Sequence, residues 1–152
     1  MINIRKFEIG DEENIWNVFY SSIHQICSKD YAREQVDAWA PKHLDSNIWA
    51  KKIQSICPFV ATIENTIVGY ADIQSDGKID HFFVHGDHQS KGVGKLLMTN
   101  IFENATKLDR LYSEVSNTAK PFFIKYGFNV KNQQQVEIRG ITLTNNLMEY
   151  YK

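Results

Sequence analysis

The stretch HFFVHGDHQSKGVGKLLM, His81 to Met98, runs from strand-forming residues through two glycines, each beside a lysine, into a leucine-rich helix. A strand end, a bare turn and a helix N-terminus bring unpaired N–H groups and the positive end of a helix dipole to one point. Such a point binds phosphate. Gly92 and Gly94 let ligand oxygens approach main chain that a Cβ would block, while Lys91 and Lys95 add charge from the sides.

Spacing excludes the two common nucleotide loops. A P-loop needs GxxxxGK followed by Ser or Thr, and Leu96 follows Gly94-Lys95 here. A dinucleotide fingerprint needs a third glycine three residues after Gly94, where Leu97 sits, and a parallel βαβ unit around it.

The residues upstream read as a meander instead. PFVATIEN, TIVGYADIQ and GKIDHFFVH are short β-rich runs separated by the turn-like pairs Asn65-Thr66 and Asp76-Gly77. Ahead of them, INIRKFEI alternates as a strand, and Asp11 is placed to cap one helix over EENIWNVFYSSIHQI, whose Ile15, Val18, Phe19, Ile23 and Ile26 form a core-facing stripe. Helices over AREQVDAW and SNIWAKKIQSI stop before Pro41 and Pro58. Downstream come the helix GVGKLLMTNIFENATKL, a strand RLYSEVS that pairs across this crossover, a short helix AKPFFIKY closed by Gly127, and strands near residues 128–139 and 145–151. This order predicts one domain over residues 1–152 of mixed α/β class, with helices on both faces of the sheet.

Composition narrows the partners. Seventeen basic and eighteen acidic residues give a net charge of -1, so no global field draws the chain to nucleic acid or an anionic membrane. No apolar run approaches the roughly 20 residues that span a bilayer, and the N-terminus turns acidic at once, so the protein is expected in the cytoplasm. Cys27 and Cys57 form neither a CxxC pair nor a disulfide framework and are expected as buried free thiols.

The run Gln89-Ser90-Lys91-Gly92-Val93-Gly94 fits the pattern Q/R-x-x-G-x-G/A. With the meander before it, SNTAKPFFIKYGF after it and LMEYYK near the end, the chain resembles the GNAT superfamily of acyl-CoA-dependent N-acyltransferases over essentially its whole length. The resemblance implies a GNAT-like sheet of six to seven mostly antiparallel strands, with a splayed strand pair at the acyl-CoA site. It implies that the turn from Gln89 to Lys95 holds the CoA pyrophosphate, that Phe83 and Val84 offer main-chain groups to the pantetheine and the thioester oxygen, and that Asn117 and Phe122 belong to the cofactor site. The implied activity is transfer of an acetyl group from acetyl-CoA to a primary amine of a small molecule or peptide by direct attack in a ternary complex. A homodimer through the late strands fits the same family, as does an acyl-CoA-binding sensor without chemistry.

An ammonium has an ordinary pKa of about 10.4 and a thiol about 8.5, so the amine must lose a proton while the sulfur is already a fair leaving group. A base therefore matters more than an acid. Asp80 has the strand parity of Val84, whereas His81 points to the opposite face unless the strand bulges; His85 and His88 are further alternatives. Histidines on an extended segment do not converge on a metal, and none is expected. The family's usual general acid, a tyrosine four residues before the glycine of GF, is replaced by Phe123; either the thiolate leaves unaided or by way of water, or another hydroxyl serves, with Tyr126 a substitute if the short helix is irregular, or acyl transfer is lost. The early helices, where the family builds its acceptor pocket, supply Tyr20, Tyr31 and Trp39, with Trp49 and His43 as further aromatic candidates.

Overall fold

The computed structural model describes residues 1–152. Two antiparallel sheets lie edge to edge. The first has the order β1 (Ile2–Lys6), β2 (Phe59–Ile63), β3 (Thr66–Ala71), β4 (Phe82–Val84); the second has the order β5 (Arg110–Ser116), β7 (Ile141–Tyr151), β6 (Asn129–Ile138). Seven strands thus form the expected mixed α/β architecture, split between β4 and β5. Helices α1 (Glu12–Ser21), α2 (Arg33–Trp39) and α3 (Ser46–Ile56) cover one face, and α4 (Val93–Glu103) and α5 (Lys120–Lys125) the other.

Each face has its own core. On the first, Ile15, Val18 and Ile23 pack with Ile53, Val60 and Tyr70. On the second, Leu97, Met98 and Ile101 of α4 are fully buried with Leu111, Phe123 and Phe128. Each such side chain contributes about 2 kcal/mol, which seats α4 and hence the turn that begins it. No helix is long and apolar enough to cross a membrane.

Several local expectations are corrected. The first helix does not run unbroken to Ile26: after Ser21 the chain makes a π turn (Ser22–Ile26) and a 3-10 turn (Cys27–Lys29). The π turn places the Ser21 hydroxyl to accept from the Gly86 N–H at 3.0 Å, docking it to the glycine-rich segment. Asp11 does not cap α1 with its side chain; its carboxylate instead takes the Arg5 guanidinium in a fork at 2.9 and 3.1 Å and the Glu8 N–H. The β2–β3 turn is Glu64-Asn65, both left-handed, and Thr66 already belongs to β3. The last strand begins at Ile141, since a two-residue turn at Arg139-Gly140 closes a longer hairpin than the sequence suggests. Cys27 is buried and its thiol is pushed up to about 11, first by burial. Cys57 is exposed, because the chain turns left-handed there to leave α3.

The split between the sheets begins where the chain changes allegiance ahead of β4. Ile79 donates its N–H to the Tyr112 carbonyl of β5 at 2.8 Å and accepts from the Ser113 hydroxyl at 2.7 Å. Two residues later His81 is back on the β3 side: its carbonyl takes the Asp72 N–H at 3.2 Å, and its own N–H goes to the Asp72 carboxylate at 2.6 Å. Asp72 is fully buried, and burial pushes its carboxyl up even though the His81 N–H and the Gln74 side-chain amide, which donate to it, favour the anion. Beyond this point β4 follows β3 alone and β5 follows β7 alone.

Gly77 is a close main-chain approach to β5. Its φ is +95, the Tyr112 N–H donates to its carbonyl at 3.0 Å, and a Cβ there would stand 2.2 Å from the Arg110 carbonyl oxygen. Gly140 shares the left-handed backbone, at φ +79, but has open space around it. Gly140→Ala is therefore expected to cost about 1 kcal/mol and Gly77→Ala at least about 3 kcal/mol in urea unfolding. Equal costs would mean that the contact between the halves is not held at Gly77.

Candidate functional site

The turn entering α4 presents a row of free donors. Every main-chain N–H from Gln89 to Lys95 lacks a protein acceptor; the first bonded one is Leu96, which donates to the Gly92 carbonyl at 3.1 Å. Ser90 (φ +61) and Gly92 (φ +89) curl this segment through left-handed conformations, and Gly92 is the N-cap of α4. Gly94 serves a different purpose from Gly92: a Cβ on it would lie 3.1 Å from the Phe122 ring, so its bareness lets α5 pack against the first turn of α4. The Gln89 side chain faces back and donates to the Val84 carbonyl at 2.8 Å, tying the turn to the end of β4.

Below the turn, the split opens a cavity of about 530 Å³ bounded by Phe82, Val84, Ser113, Val115, Phe122 and Tyr126, with Gln89 to Lys95 at its mouth. Ladder alternation decides which β4 groups face it. His81, Phe83 and His85 sit opposite Asp72, Tyr70 and Val68 in hydrogen-bonded positions, so Phe83 spends its main-chain groups on β3, while Phe82 and Val84 turn theirs toward the cavity. This corrects the assignment of Phe83 as a main-chain donor; its ring instead packs at 5.0 Å from Phe19 and 6.2 Å from Trp39.

A second cavity of about 490 Å³ lies on the α1–α3 side, and the two meet at Trp39, Asp80, Phe83, Glu114 and Ser116, which line both. At this junction the Asp80 carboxylate is 2.5 Å from the Lys52 ammonium and 4.0 Å from that of Lys78. Burial acts to raise Asp80, but the Lys52 hydrogen bond and the surrounding positive charges hold it below the usual carboxylate range. His81 lines the second cavity, with Nδ1 2.9 Å from the hydroxyl of fully buried Tyr70. Burial lowers His81 to about 4, so its ring is neutral at pH 7.

Other anticipated residues are placed as follows. Tyr31 and Trp39 line the second cavity, and Trp49 joins them while donating its indole N–H to the Glu12 carbonyl at 2.9 Å. Tyr20 and His43 line neither; Tyr20 stacks on His24 with centroids 4.0 Å apart. Asn117 also lines neither: its side-chain oxygen accepts from Asn146 at 2.9 Å and its N–H donates to the Tyr31 hydroxyl at 2.9 Å. Phe123 is buried in the second core, whereas Tyr126 caps α5 and lines the first cavity. Lys52, Glu114, Ser116 and Arg139 reach the site without having been anticipated; only the alternation of RLYSEVS, which puts Glu114 and Ser116 on one face, carried any signal for them.

The chain and its fold have counterparts among known proteins. Residues 27–150 match the family model of the acetyltransferase (GNAT) domain. The chain belongs to the GNAT family. Over 149 residues it is 32% identical to the uncharacterized N-acetyltransferase YafP of Escherichia coli K12, covering 98% of this chain and 95% of that one. The crystal structure of a GCN5-related N-acetyltransferase from Rhodopseudomonas palustris superimposes with a TM-score of 0.93 at 28% identity, covering 99% of this chain and 95% of that one. The fold is also that of the PaiA N-acetyltransferase of Thermoplasma acidophilum, solved with coenzyme A, at a TM-score of 0.78 and 19% identity over 100% and 99% of the two chains. As a GNAT member the protein is an acyl-CoA-dependent acetyltransferase.

The buried His81 has a consequence for stability. The unfolded chain takes up a proton on this residue near pH 6.5 and the folded chain only near 4, so its contribution is present above pH 6.5 and fades as pH falls toward 4. Between pH 7 and 4.5 the melting temperature should fall more steeply in the parent than in His81→Gln, by several degrees. Parallel curves would show that His81 protonates as readily folded as unfolded.

Proposed function

We propose that the protein transfers an acetyl group from acetyl-CoA to a primary amine of a small molecule or peptide by direct attack in a ternary complex. The observation that carries this reading is the meeting of two cavities at Asp80 and Glu114, one of them headed by the unbonded amides of Gln89 to Lys95. When bound, acetyl-CoA supplies an activated acyl group on a sulfur that leaves readily.

The chain supplies the rest. The amides of Gln89 to Lys95 and the Lys95 ammonium fit a pyrophosphate, because they are donors with nothing else to bond, and the Lys91 ammonium, whose one partner is the His88 ring at 3.4 Å, adds positive charge beside them. The Phe82 and Val84 N–H groups, on the free edge of β4, fit a pantetheine and a thioester oxygen where water is scarce. The acceptor amine approaches through the second cavity toward the carboxylates of Asp80 and Glu114. Asp80 takes the amine's proton, through water where it does not touch the nitrogen. Its low pKa makes it a weak base, and a prior equilibrium that strips the ammonium is then assisted rather than driven by it. Neutral His81 orients the acceptor, and Tyr126 has the hydroxyl within the first cavity that can return a proton to sulfur.

Asp80→Asn should lower kcat/KM for the acceptor by a factor on the order of 10² while leaving CoA affinity unchanged. Since Asp80 is ionised and His81 neutral throughout the neutral range, kcat/KM should climb with pH between 6 and 9 without a break near 6.5. A break near 6.5 that disappears in His81→Gln would transfer the base role to His81, and full activity in Asp80→Asn would remove it from Asp80.

A further inference from the structure

The charges of the second cavity divide into those neutralised within the protein and those left over. Asp80 is satisfied by Lys52 and Lys78. Glu114 and Arg139 also line the cavity and form no ion pair. They lie at opposite ends. Glu114 is at the junction with the first cavity, whereas Arg139 lines the second alone, in the turn between β6 and β7. Measured along β7 from Leu147, the partner of Glu114, to Ile141 beside that turn, the chain advances six residues, or roughly 20 Å, a distance that the two long side chains shorten from both ends. The wall between is largely apolar, made by Val136, Ile138, Leu143 and Leu44 with Thr144 and Asn145 among them.

Arg139 is a costly choice for its position. It adopts φ +48 in a two-residue turn with Gly140, where Asn or Gly is usual and other side chains lose about 1 kcal/mol. One arm of its guanidinium donates to the Ala38 carbonyl at 2.7 Å, at the end of α2 next to Trp39. That bond holds the group against the cavity wall and leaves the rest of the fork unbonded, the geometry that receives a carboxylate.

Taking the second cavity as the acceptor site, as in the reading above, we infer that the acceptor is an elongated amine with a carboxylate at its far end, bound lengthwise so that its ammonium meets Glu114 and Asp80 and its carboxylate meets Arg139. An ω-amino acid or a short peptide with a free C-terminus has this form, and an α-amino acid, whose two charges are adjacent, does not.

The test compares 6-aminohexanoate with 6-aminohexanamide, and a leucyl dipeptide with its C-terminal amide, in the parent, Arg139→Gln and Arg139→Lys. Glutamine removes the charge and, being two atoms shorter, also gives up the bond to the Ala38 carbonyl, whereas lysine keeps the charge. The parent should prefer each carboxylate over its amide in kcat/KM by roughly tenfold or more. The ratio should fall toward one in Arg139→Gln and be partly kept in Arg139→Lys. The N-acetylated products of each pair, titrated into the CoA-loaded protein by calorimetry, should show the same preference and the same loss. Equal use or equal binding of carboxylate and amide by the parent, or a preference untouched in Arg139→Gln, overturns the inference. Absence of turnover with every amine would count against the acetyltransferase reading, and the product titration would still decide the role of Arg139.

Discussion

The absence of a hydrogen-bonded ladder between β4 and β5 is the constraint on which the rest of this structure depends. Two strands of a continuous sheet would have closed over the space where both cavities now meet. An open edge inside a protein strands polar groups, and buried main-chain N–H and C=O groups are rarely left unpaired. Side chains and the neighbouring turn supply the missing partners: the Asp72 carboxylate receives the His81 N–H, the Ser113 hydroxyl serves the Ile79 carbonyl, and Gln89 serves the Val84 carbonyl. What remains unpaired on β4 faces the cofactor cavity and is available to a ligand.

The same split organises the electrostatics. Asp80 sits where the chain passes from one sheet to the other, and Lys52 from α3 and Lys78 from the preceding segment keep it ionised in a partly buried place. His81, one residue on, faces the aromatic layer of Phe19, Trp49, Tyr70 and Phe83 and is kept neutral by burial. Adjacent residues in the segment that leads into β4 thus hold a fixed negative charge and a fixed neutral ring. Such a division suits chemistry that begins with a cation and must end with a neutral nucleophile.

Much of this was legible from local pattern. The glycine spacing, the meander and the Pro-terminated helices are short-range signals, and the elements they predict are present with ends shifted by a few residues. The turn was readable because an anion site at a helix N-terminus is made by neighbours in sequence. Residues that act across the split were not: Glu114 and Ser116 from β5, Lys52 from α3 and Arg139 from the last hairpin converge only through the packing of separate elements. The role of Phe83 was misjudged for a related reason, since which main-chain groups face the cavity depends on the register of β4 against β3, which sequence parity alone leaves open. Phe123 stands where the resemblance leads one to expect a tyrosine, and its ring is core, packed 5.0 Å from Phe128.

The central claim is that the unbonded amides after β4 and the free edge of β4 form one continuous cradle for CoA. It is tested most directly by following backbone amide resonances during titration with coenzyme A. The account predicts that the largest shifts fall on Gln89 to Lys95 and on Phe82 and Val84, with Phe83, bonded to β3, moving little. Saturable binding of CoA that leaves the amides of Gln89 to Lys95 unmoved would contradict it.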